Sequence, residues 1–74
     1  LQKENQKEQR RLARRLEQLE AQIEDLDSQI SQFQEAMQAT NDASELMESQ
    51  QQIDQLTAAQ EEAMLEWEEL AEKV

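Results

Sequence analysis

The sequence contains no glycine, no proline, no cysteine, no histidine and no tyrosine, and only one Trp and one Phe. Each absence excludes a chemistry. Phosphate-cradling loops, nucleophile elbows and dinucleotide fingerprints need backbone conformations that only glycine supplies. Zinc sites of the nitrogen and sulfur kind, disulfide frameworks and His-based triads need Cys or His. Only carboxylates remain as candidate catalytic groups, and a solvated surface carries those in any case. No apolar run approaches the ~20 residues of a membrane span, and no signal-peptide pattern is present. The lack of Cys fits a reducing, cytoplasmic setting. The chain starts Leu1-Gln2-Lys3, without Met, and reads as a piece excised from a longer protein.

What is present is helical. Ala, Glu, Lys, Leu and Arg make up about half of the 74 residues, a coiled-coil composition. With 36% apolar residues in so short a chain, there is little interior for a globular core. Leu12, Leu16, Leu19, Ile23, Leu26, Ile30, Phe33 and Met37 alternate in steps of four and three, which marks a heptad seam. With Leu16 as an a position, Leu19 is a d position. A second, weaker run reads Leu46, Ser49, Ile53, Leu56, Gln60, Ala63, Trp67, Leu70, Val74. Met37 and Leu46 are both a positions but nine residues apart, a surplus that no tolerated stutter absorbs. The helix therefore breaks between them. Asn41 is the residue able to end it in the left-handed conformation. Asp42 is an N-cap candidate, with Glu45 as its capping-box partner. The expectation is one domain over 1–74: helix 1 at about 3–39, a hinge at 40–42, and helix 2 at about 43–73.

A short hinge makes the helices antiparallel neighbours, so the fold class is all-α, a two-helix antiparallel coiled-coil hairpin. Folding helix 2 back pairs the layers at a residue-number sum of 83 for a with a and 82 for d with d: Met37 with Leu46, Phe33 with Ser49, Ile30 with Ile53, Ile23 with Gln60, Leu19 with Ala63 and Leu16 with Trp67. Large Phe33 compensates small Ser49, and Gln60 is a polar exception that fixes register. Flanking g positions place Arg15 near Glu66 and Glu8 near Lys73. At ~1.5 Å per residue the hairpin is roughly 45–50 Å long.

Three stretches carry a family resemblance: Arg10-Arg11-Leu12 with the leucine series to Leu26, the hinge Met37-Gln38-Ala39-Thr40-Asn41-Asp42, and the closing Met64-Leu65-Glu66-Trp67-Glu68-Glu69-Leu70. With these, the whole chain resembles the C-terminal coiled-coil domain of ABC-F type ATP-binding cassette proteins. The resemblance implies a cytoplasmic parent ATPase with two fused cassettes and no transmembrane domain. It also implies a C-terminal hairpin that serves as a nucleic-acid-binding appendage, with ribosomal RNA, tRNA or DNA as the partner. The Walker and signature motifs belong to the cassettes. ATP and magnesium are accordingly expected only there, and this domain is expected to be no enzyme and to hold no cofactor or metal of its own.

Charge is uneven along the chain. Residues 1–15 hold Lys3, Lys7, Arg10, Arg11, Arg14 and Arg15 against two acids, whereas residues 16–74 hold 16 acids and one base. The basic block is the candidate nucleic-acid site, because helical Arg and Lys neutralise phosphates. The competing account is internal: the sum rule sets Arg11 opposite Glu72, Arg14 opposite Glu69 and Arg15 opposite Glu68, so the acids of helix 2 would neutralise the bases of helix 1. Trp67 can stack on a base or, as its a position suggests, lie buried against Leu16. Met64 and Leu65 sit outside the seam and are the partner-docking candidates, against the parent's cassettes or a second copy; chance exposure is the plain alternative. Adjacent acids such as Glu68-Glu69 have no cleft to work in, and the chain has no calcium loop. A purely structural protein–protein arm or dimerisation module is the alternative to nucleic-acid contact. A monomeric hairpin competes with a weak homodimer of exchanged helices.

Overall fold

The computed structural model describes the backbone from Gln2 to Val74 and the side chains from Gln6 onward. Two helices account for nearly all of it: α1 (Gln2–Ala39) and α2 (Ala43–Ala71). Their sequences are rich in Ala, Leu, Glu, Gln and Arg, the residues that lose least on entering a helix, and nothing in either interrupts the backbone ladder. The helices pack against each other as an all-α hairpin.

The break falls where Thr, Asn and Asp follow one another, side chains that compete for backbone hydrogen bonds. Asp42 caps α2 in an extended conformation (φ −78°, ψ 119°), and its carboxylate accepts from the Ser44 N–H at 2.9 Å. Glu45 does not reach back to the Asp42 N–H as a capping box would. Thr40 stands between them instead: its Oγ1 accepts from the Asp42 N–H at 3.2 Å and donates to Glu45 Oε2. Asn41 is not left-handed either, because no described residue has positive φ. With the Thr40 hydroxyl bridging the turn, the chain reverses without that conformation.

The seam lies where the heptads place it. Leu19, Leu26, Ile30 and Ala63 are buried, and the other seam residues from Leu12 to Leu70 are half-buried. The Leu19–Ala63 layer is the tightest, with Leu19 only 1% exposed. Gln60 turns its amide to the Ile23 carbonyl at 3.2 Å, which ties the two helices at the expected layer.

Four particulars differ from the sequence reading. Val74 is exposed, not in the seam, because α2 ends at Ala71 and the chain tightens into i→i−3 bonds at Lys73 and Val74. Phe33 and Ser49 do not fill their layer. They line an open cleft with Glu48, Gln51 and Gln52, since a serine is too small to cover a phenyl ring. Trp67 is half-buried, and its indole N–H reaches Glu20 Oε1 at 3.2 Å, so the ring leans one turn toward the hinge. The rod is 61 Å long, above the expected 45–50 Å, because α1 alone has 38 residues and outruns α2.

Candidate nucleic-acid interface

Heptad position decides what each base does. Arg15 is a g residue facing the seam edge, and Glu66 is its g counterpart. Its guanidinium makes a forked ion pair, with Nη2 at 3.0 Å from Glu66 Oε1 and Nε on Oε2. The hydrogen bonds hold the Glu66 carboxyl below its ordinary range and the Arg15 guanidinium above its own. Arg15 is thus part of the hairpin's own register.

Arg10, Arg11 and Arg14 fall at b, c and f, on the face turned away from α2. All three are exposed. Among the described residues Arg15–Glu66 is the one ion pair within 4.0 Å, so none of these three has a carboxylate at that range. The internal pairing read from the residue-number sum fails for a geometric reason. Glu69 and Glu72 share a height along the rod with Arg14 and Arg11, but c and f side chains point outward on both helices. Arg15 takes Glu66, not Glu68. Glu8 and Lys73 form no pair, because Lys73 lies past the end of α2 and has left the g track. Lys7 is exposed on the same outer face as Arg14. Lys3 lies outside the residues whose side chains are described.

The opposite edge of the seam is different in kind. Met64 (48% exposed) lines a shallow groove with Ile23, Trp67 and Glu68. Leu65, at f, stands 62% exposed on the outer surface and does not line the groove. Met47 is equally exposed, a feature the sequence signals only by its b position. The groove itself was not legible from heptads, because it depends on how far the Trp67 ring leans. Among the described residues no cluster of three metal-ligating side chains forms, and no helix is long and apolar enough to cross a membrane.

The described chain is thus an antiparallel two-helix rod with exposed arginines on its outer face near one end. The chain belongs to the ABC transporter C-terminal domain family, whose model matches residues 3–72. No curated protein and no solved structure matches it.

Proposed function

We propose that this hairpin is the C-terminal domain of an ABC-F type cytoplasmic ATPase and that it contacts nucleic acid through Lys7, Arg10, Arg11 and Arg14. The observation that supports this is the exposed outer face on which Arg10, Arg11 and Arg14 have no carboxylate of the described residues within 4.0 Å. Guanidinium groups left free of acids are available for phosphate oxygens, which they bind as forks. Catalysis, with ATP and magnesium, is assigned to the parent's cassettes, and this domain to positioning.

The test is titration of labelled ribosomal RNA fragments and duplex DNA at low salt. Replacing Arg10, Arg11 and Arg14 by Glu should weaken binding at least tenfold and lower the dependence of log affinity on log salt by roughly 2–3. Superimposable wild-type and variant curves would sink the assignment. Arg15→Gln serves as the contrast: it should disturb hairpin stability more than phosphate affinity.

A further inference from the structure

The groove on the far edge of the seam is independent of the basic face. Its floor is made by a mismatch of layers. Ile23 stands opposite Gln60, which turns to the Ile23 backbone carbonyl and leaves the Ile23 side chain half-exposed. Trp67 leans over the same place, its N–H satisfied by Glu20, so that the ring is left to offer apolar surface. Met64 closes the third side and Glu68 the fourth. The depression measures about 220 Å³.

Its rim is of one sign. Between residues 17 and 27, beside the groove, the e and b positions of α1 are Glu17, Glu20, Glu24 and Asp27, Arg10 lying two turns further along, and those of α2 beside Met64 are Glu61 and Glu68. From residue 16 to residue 72 the chain has no Lys or Arg at all. A second copy of this chain is disfavoured as occupant, since each carries a net charge of −11. Nucleic acid is repelled from this edge by the acidic rim itself, whatever the basic face does.

We infer that the Ile23–Met64–Trp67 groove binds a basic amphipathic helix of a protein partner, one apolar side chain seated beside Trp67 and flanking Lys or Arg on the acidic rim. An apolar anchor in a groove supplies affinity, and a charged rim supplies orientation and partner choice. Trp is a residue type on which binding energy concentrates, and Met adapts its shape to different anchors.

The probe is a fluorescein-labelled 14-residue amphipathic peptide of Leu and Lys, titrated into the 74-residue chain at ~0.15 M salt, where long-range attraction is screened. Binding should raise the peptide's anisotropy and shift the emission of Trp67, the one tryptophan of the chain. A Ser and Lys peptide of equal charge should bind about tenfold more weakly, the loss of one seated apolar side chain. Met64→Asp should weaken the Leu and Lys peptide by a similar factor. Met47→Asp, at a more exposed Met roughly 25 Å away along α2, should not. Circular dichroism checks that both variants stay helical; Glu68→Lys gives the same reading if Met64→Asp does not fold. Equal binding of the two peptides overturns the inference, as does an unmoved Trp67 emission or an unaffected groove variant. So does sedimentation showing that the groove is occupied by a second copy. The basic-face reading survives any of these results, because its test changes different residues and a different ligand.

Discussion

Gln60 illustrates how one polar side chain shapes a two-helix seam. An apolar residue at this a position would bury more surface, and the hairpin has little to spare with four buried residues among those described. The amide instead bonds the Ile23 carbonyl across the interface. A backbone carbonyl at another layer could also accept it, so any discrimination against other pairings rests on the amide having to find such an acceptor inside the seam. Gln60→Leu should therefore raise the stability of the hairpin by about 1 kcal/mol while loosening its specificity. Thermal melting should show the higher midpoint, and sedimentation at rising concentration should show species beyond the monomer. A lower midpoint would mean that the amide contributes more than the apolar area it displaces.

At the scale of elements, the turn was legible in place but not in mechanism. Two out-of-phase heptad runs locate the break, and Asp42 as N-cap is a property of residue type. The relay through Thr40 was not readable, because it depends on three side chains meeting at a turn whose backbone path heptads do not determine. The path matters for a substitution. A left-handed Asn41 would welcome glycine, whereas at negative φ glycine adds only freedom to the unfolded chain. Asn41→Gly should thus cost about 0.5 kcal/mol, and Thr40→Val about 1 kcal/mol by removing both hydrogen bonds of the hydroxyl. Urea melts of the two variants check this; stabilisation by glycine would restore the left-handed turn. The basic face shows a similar division. Which residues are basic is plain from sequence, and so is the Arg15–Glu66 pairing at g. That Arg11 and Arg14 are not neutralised follows from the outward direction of c and f, which a sum of residue numbers does not encode. Both ends are also charged against their helix dipoles, with bases early in α1 and Glu68, Glu69 and Glu72 late in α2. Helix stability alone does not account for that placement.

For the whole molecule, the excess of acids makes pH act in two directions. Protonating crowded carboxylates relieves repulsion and favours the hairpin. Protonating Glu66 does the opposite. Its folded pKa is lowered by Arg15, so the contribution of the pair is full above the ordinary Glu value of 4.5 and is lost as pH falls through the depressed folded value. The two effects separate by comparison with Glu66→Gln. Wild type should melt above the variant at neutral pH, and the difference should close in strong acid while both midpoints rise with the loss of repulsion. A difference that persists unchanged to low pH would show that the charge of Glu66 is not what matters.

The outer arginines sit at one tip of a rod 61 Å long and 14 Å wide, and most of the acids lie along the remainder. Such a body carries a permanent electrical direction along its length. In the field of a polyanion it turns before it touches, tip first, so that encounter is selected for orientation. Added salt should then slow the arrival of the hairpin far more than it hastens its departure, and the length of the rod becomes a lever that converts a small imbalance of charge into aim.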